Sequence, residues 1–583
     1  MEKVSLRIGN KIFKANKELL CEYSDYFRAM FSGHYVESEK QEIKIDMLNP
    51  NIMSIILKYM KIGMKVLYEY PLSTNTEVAK AADFLQIPEL IKQILNVLEI
   101  QLSESNWMEA MAMAENASYL QLEQYSAAYG LFSFNSMKPE YIPTFHKLVW
   151  YLCHPYLDSQ NEMHVFKLGF KWLLEKHKLE HSLLILACLD MSRVTNKNLI
   201  EMKEFLSDYI NHFSDRLVLE IIDCLLELTS KDVAISELSL CEHKAELCDK
   251  FPERVWFELM RIVKHSSARL TKYVPVVPLW PLKGLRPDTL PYSLYTFEKD
   301  EGFEKYLEVP DKNLWGCNVA AWGRTKLVVV CGVHGRGTGI FMKDVKVYDT
   351  LKKTWTQFGV QLPPRRHAGV TIVGDSLYII GGVGQLKVVL KTAVVFDLKK
   401  RSCRRIADLP DTIKNPAICT HNNKVYTAGH ENIYCYETQD NKDYWEMVVD
   451  SDMRISIMTS YDNYIYCTQS YSNMLYRFRP GIDNCLTNIV SLSHVPAAIC
   501  NLGDYLLLFT QNVHAYENTN VYTVIEYKGE AEGEKPRVIF TRTSNKKINA
   551  IGSYSLVLTM PPLSKELPQY HSQYLMEHCN TYS

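Results

Sequence analysis

Hydrophobic positions along this chain follow two different periods, and the change falls near residue 265. Between Asn106 and His265, apolar residues recur three and four apart, as in Trp107, Ala110, Met111 and Ala114, or Leu217, Ile221 and Leu225. That spacing lines one face of a helix, and glycine is nearly absent from the stretch, so an array of amphipathic helices is expected. Five prolines follow: Pro275, Pro278, Pro281, Pro287 and Pro291. Proline lacks an amide donor and ends helices, which predicts a stiff connector over residues 269–291.

Beyond the prolines, the pattern becomes short strands separated by turns. An apolar strand closing in a small or polar pair recurs at Leu327 to Cys331, Leu377 to Ile380, Val425 to Ala428, Ile465 to Thr468, Leu506 to Phe509 and Leu556 to Leu558. The second residue of each closing pair falls at 332, 382, 429, 469, 511 and 560, giving intervals of 50, 47, 40, 42 and 49. Turn-forming groups precede five of the strands: Gly374-Asp375, Asn422-Asn423, Asp462-Asn463, Gly503-Asp504 and Gly552-Ser553. A period of 40–50 residues with several strands in each unit predicts a β-propeller of six blades. The last unit lacks its following strand, whereas an unmatched strand, Ser293 to Phe297, precedes the first. The expectation is a ring closed by strands from both ends of the domain, which leaves no open edge.

Composition adds mainly exclusions. A net charge of −2 gives no bulk attraction to nucleic acid or to an anionic membrane, and neither is expected as a partner. No apolar run approaches the length of a membrane span, and Met1-Glu2-Lys3-Val4-Ser5 has no signal-like apolar core. The 15 cysteines are scattered without a Cys-x-x-Cys pair, which fits reduced thiols and a cytoplasmic or nuclear location. No His-Glu-x-x-His, Gly-x-Ser-x-Gly or paired cysteine knuckle is present, so no enzyme, metal or cofactor is expected. Cys241, His243 and Cys248 make an incomplete zinc set. The loop Gly332 to Gly339 is glycine-rich but lacks the Gly-Lys-Ser/Thr of a phosphate cradle.

The repeats resemble kelch motifs, above all Gly374 to Gly382 with Val395-Phe396-Asp397, and Val347-Tyr348-Asp349 with Trp355. Later units depart from the pattern, with Ala428-Gly429, Thr468-Gln469 and Thr510-Gln511 in place of the glycine pair. Phe13 to Leu20, Ser24 to Phe31 and Ala79 to Leu98 resemble a BTB domain, although Asn16 stands where a histidine is usual. Asn161 to Phe166 with Trp172 resembles a BACK domain. In this order the modules resemble the kelch-like family. The resemblance implies an α/β BTB domain over 1–100, an all-α BACK domain over 101–268 and an all-β six-bladed kelch propeller over 292–562. The tail, 563–583, carries no pattern that decides between a free end and packing on the ring.

The same resemblance implies a substrate adaptor for a cullin-3 ubiquitin ligase, with the BTB and BACK parts holding the cullin and the propeller holding the target. Its cullin contact maps onto Tyr35, Val36 and Glu37, with Asp25 and Tyr26 nearby; Phe27 and Phe31 read as core of the domain. Its pocket-lining loops map onto Arg336 and onto Arg365, Arg366 and His367, an arginine set suited to an acidic or phosphorylated segment. For Arg365, a structural role bonded to loop carbonyls is the alternative. The family also includes actin-associated scaffolds that oligomerise through the BTB domain. Homodimerisation is expected to be weakened here, because the first strand begins almost at once, near Val4 to Ile8.

Overall fold

The computed structural model describes residues 3–209, 216–231, 233–282, 292–311, 313–440, 442–514, 517–529, 535–548, 554–563 and 566–578, apart from the side chains of Glu37, Glu39 and His578. Two compact units result, one of Met1–Thr271 with Met560–Ser583 and one of Lys272–Thr559.

The first unit opens on a three-stranded sheet. Strand β1 (Lys3–Ile8) pairs antiparallel with β2 (Lys11–Asn16) and parallel with β3 (Glu42–Lys44). Alternation along β1 turns Val4, Leu6 and Ile8 into the core. Two short helices follow, α1 (Lys17–Tyr23) and α2 (Asp25–Met30). The Asn16 side chain accepts the Glu18 amide at 3.0 Å, capping α1. The Ser24 hydroxyl accepts the Phe27 amide at 3.2 Å and donates to the Leu85 carbonyl at 2.6 Å. One buried serine thus starts α2 and ties it to the end of the helix Leu72–Phe84.

The expected helical array runs from Trp107–Asn116 to Glu253–Lys264 and shares one continuous core with the α/β part. Trp107 is fully buried against Gly130, where a Cβ would lie 2.3 Å from the indole; a side chain there would displace the ring. Arg269, near the end of this segment, pairs in a two-pronged fork with Glu162 at 3.1 and 3.0 Å. It also donates to the carbonyls of Leu152, His154 and Cys188. The pair has almost no solvent exposure.

The described part of the tail packs within the first unit. Helix Gln569–His578 belongs to the first unit and buries Tyr570, His571, Tyr574 and Leu575. His265 stacks on Tyr570 at 4.8 Å, and His571 Nε2 lies 3.3 Å from the Ala187 carbonyl. Its apolar positions form a helical face only when a partner surface is known, so the segment is silent in isolation.

In the second unit, five four-stranded antiparallel sheets follow in chain order. Their innermost strands are Asn318–Trp322, Gly369–Val373, Ile418–His421, Ile455–Tyr461 and Val495–Asn501. These adjoin one another in turn, and Tyr554–Leu556 sits between the last and the first to complete the ring. A sixth sheet is built from both ends of the domain, as the unmatched strands predict. Its composition differs from the expectation, however. Tyr554–Leu556 pairs with β4 (Val274–Pro281), and β5 (Ser293–Glu298) and β6 (Gly302–Glu308) lie outside it.

About a third of the segment read as a connector, Val274–Pro281, is therefore a blade strand, and the Leu556 to Leu558 run marks the inner strand rather than the second. Val276, Val277 and Leu279 in β4 are buried between neighbouring blades. Its ladders are short, three residue pairs each to β5, to Tyr554–Leu556 and to Lys546–Ile548, so the missing proline amides are tolerated. Pro287, Pro291 and the Gly552-Ser553 turn lie outside the described residues. The closure is pinned by Tyr554, whose hydroxyl donates to the Val319 carbonyl of blade one at 2.6 Å. Trp445 of blade three joins its neighbour by an indole bond to the Ala407 carbonyl at 2.9 Å.

Candidate recognition site

Antiparallel pairing decides which loops share a face. In each blade, the start of the innermost strand lies beside the end of the second strand, as in Gly369 with Ile380 and Val495 with Gln511. Loops that enter a blade and loops that leave its second strand therefore cluster at one end of the ring. Arg336, the segment Arg365 to His367, Arg454 and Tyr471 all fall there. The same end opens into an axial cavity of about 1000 Å³ lined by the inner strands. Among its described lining residues, Arg454 and Lys547 are the side chains with a full charge, and no Asp or Glu is present.

Three of the four predicted propeller residues meet on one ring that the sequence reading missed. The guanidinium carbons of Arg366 and Arg336 lie 4.9 and 5.4 Å from the Trp315 ring centroid. His367 meets the same ring edge-on at 4.7 Å. An indole face attracts cations and holds their planes, leaving guanidinium edges free to bond a carboxylate. Burial, reinforced by Lys414 and Arg366, holds the His367 imidazole down at about 4, so it is neutral near pH 7.

Arg365 is a correction. It is 2% exposed, and its guanidinium donates to the Gly381 carbonyl at 3.1 Å and to Thr392 O at 2.9 Å. Adjacent residues on an extended segment point to opposite sides, so only one of Arg365 and Arg366 can face the cavity mouth. Arg365 instead ties the glycine pair to the following strand. Gly382 itself has φ +92°, and a Cβ there would lie 2.7 Å from the Arg366 carbonyl oxygen. The glycine therefore fixes the approach of the arginine segment.

On the first unit, Asp25 is held in an ion pair with Arg28 at 2.6 Å, and Tyr26 packs on Phe84 at 5.4 Å. Phe27 is fully buried and stacks on Phe31, which is the core role. Tyr35 and Val36 are 58% and 75% exposed, just beyond α2. Their segment is anchored by Ser38, whose hydroxyl donates to the Met30 carbonyl at 2.9 Å. The Glu37 side chain lies outside the described residues. Among the described residues, no three His, Cys, Asp or Glu side chains are grouped to hold a metal ion, and no helix is long and apolar enough to cross a membrane.

Trp315 escaped the sequence reading because it stands outside the repeat position that Trp355 and Trp445 share. Arg454 and Lys547 carry no local motif; only ring closure brings them to one cavity.

An α/β domain, a helical array and a six-bladed ring with a cationic mouth make up a modular chain. The BTB/POZ domain family matches residues 2–102, and the kelch motif matches residues 364–410. The chain is similar to kelch-like protein 25 of Homo sapiens, 23% identical over 450 residues that cover 74% of this chain and 69% of the relative. It is also similar to kelch-like protein 15 of Gallus gallus, 24% identical over 438 residues, 68% of this chain and 86% of the relative. Among solved structures, that of YjhT aligns with 42% of this chain and 90% of its own at 12% identity, with a TM-score of 0.34. The chain thus carries a BTB/POZ domain and a kelch motif and is similar to kelch-like proteins over about three quarters of its length.

Proposed function

We propose that this chain is the substrate-recognition adaptor of a cullin-3 RING ubiquitin ligase, its BTB and helical parts holding the cullin and its propeller holding the protein to be modified. The observation that carries the target half is the convergence of Arg336 and Arg366 on Trp315, at the mouth of a cavity whose fully charged lining is cationic. Guanidinium groups held over one indole favour an acidic or phosphorylated segment through charge-assisted hydrogen bonds. For the cullin half, exposed Tyr35 and Val36 offer an apolar step that the domain's own core does not use.

Calorimetric titration of the chain with the N-terminal domain of cullin-3 tests the reading. Submicromolar binding is expected, and Glu37→Lys should abolish it. Binding that survives Glu37→Lys removes the contact assigned to Tyr35, Val36 and Glu37. An absence of binding removes the ligase reading and favours a scaffold, which co-sedimentation with actin filaments then examines.

A further inference from the structure

We infer that the propeller reads large apolar side chains next to acidic ones, through two exposed apolar tips, Leu386 and Tyr471, that flank the cationic mouth. The inference rests on reading that mouth as the partner site and adds a second half to what it recognises.

The Leu386 tip is built directly on the arginine segment. Arg366 donates its amide to the Val383 carbonyl at 3.0 Å, and Val383 returns the bond at 2.7 Å. Val383 also bridges Val389. Amides of Leu390 and Gly384 donate to the carbonyls of Gly382 and Val388, both at 2.8 Å. Arg366, Val383 and Val389 thus form adjoining strands of a small sheet, and Leu386 stands at the end of its hairpin. Tyr471 follows the second strand of blade four and lines the cavity itself.

Both tips are poor choices for the free chain. Leu386 is 96% exposed with φ +54°, and Tyr471 is 97% exposed with φ +63°. Positive φ crowds any Cβ and is ordinarily given to glycine or asparagine. Strain of this kind persists where the surroundings impose it and a function uses it. Neither side chain recovers the cost by burial within the chain. Val388, beside Leu386, and Ile340, in the loop of Arg336, are exposed on the same face. Apolar tips around a mouth that carries Arg336 and Arg366, over a cavity lined by Arg454 and Lys547, are complementary to one chemistry: a segment of a partner protein with Asp or Glu flanked by Leu, Ile, Phe or Tyr.

The test pans a random-peptide display library against the full chain and then measures synthetic peptides. Enriched peptides should carry acidic residues with a large apolar residue a few positions away. Serine at the apolar positions should weaken binding at least about tenfold, equivalent to about 1.4 kcal/mol. Leu386→Gly and Tyr471→Gly should each weaken the apolar peptide severalfold and leave the serine version unchanged. Both should keep or raise the melting temperature, because glycine relieves positive φ. Acidic peptides without apolar preference, or an apolar peptide bound equally by both variants, would overturn the inference and leave the cationic mouth intact. Enrichment without acidic residues would overturn the reading of the mouth and this inference together.

Discussion

Arg366 lies over the face of Trp315, with its guanidinium carbon 4.9 Å from the ring centroid. One residue earlier, Arg365 is buried against the carbonyls of Gly381 and Thr392. Two identical side chains in sequence therefore have different surroundings, one lying over an indole and one holding the blade.

Removing the indole should loosen the recognition side without unfolding the ring, because Trp315 is only partly buried. Trp315→Ala is expected to weaken an acidic peptide roughly twofold to thirtyfold, the range of a cation–π contact between exposure and desolvation. Arg366→Glu should weaken it further by placing a like charge at the mouth. Fluorescence polarisation with a labelled acidic peptide reads both; unchanged affinity in Arg366→Glu would remove this residue from the site.

Arg365→Ala should act on stability instead. It takes the donor from the Gly381 carbonyl and leaves Thr392 O with the Gly381 amide alone, a loss of about 1–3 kcal/mol before relaxation. Urea denaturation should show a lower midpoint for this variant, whereas Arg336→Ala, on the surface, should stay within about 0.5 kcal/mol of the parent.

The Arg269–Glu162 fork should be the costliest ion pair to break. Both side chains are buried, so Arg269→Ala strands a carboxylate away from water and should cost about 3–5 kcal/mol. The exposed Asp25–Arg28 pair should contribute under about 1 kcal/mol. Denaturant midpoints of Arg269→Ala and Arg28→Ala compare the two directly, and equal effects would contradict the assignment.

Acid should destabilise the first unit through two histidines. Burial, with Arg269 nearby, holds His154 at about 4; burial and the neighbouring His265 outweigh the Ala187 carbonyl to hold His571 at about 4. Each pKa is lower folded than unfolded, so the unfolded chain binds more protons between these values. Stability is therefore full above about pH 6.5 and falls as pH drops toward 4, by on the order of 3 kcal/mol for each imidazole. Denaturation at pH 7.5 and 4.5 measures the loss, and His571→Gln should reduce it.

Much of this architecture is legible in the chain because local spacing and burial agree. The helical period survives in Trp107, Ala110 and Ala114, all buried, and the repeats locate the second strands of blades one to five. Legibility stops where long-range closure overrides local preference. The prolines of β4 argue for a connector, yet burial of Val276 and Val277 between blades makes a strand. The C-terminal helix depends on a groove formed hundreds of residues earlier. Arg336 and Arg366 were legible as loop residues of one end of the ring, but Trp315, over which both lie, was not, because aromatic stacking across loops leaves no spacing to read.

The central claim is that one chain holds a cullin and a target at once. The direct measurement immobilises an acidic peptide from the display selection and asks whether the cullin-3 N-terminal domain is retained only when the full chain is present. The account predicts retention with the parent chain, and loss with either Arg366→Glu or Glu37→Lys. A chain that binds the peptide while the cullin passes through unretained would contradict it.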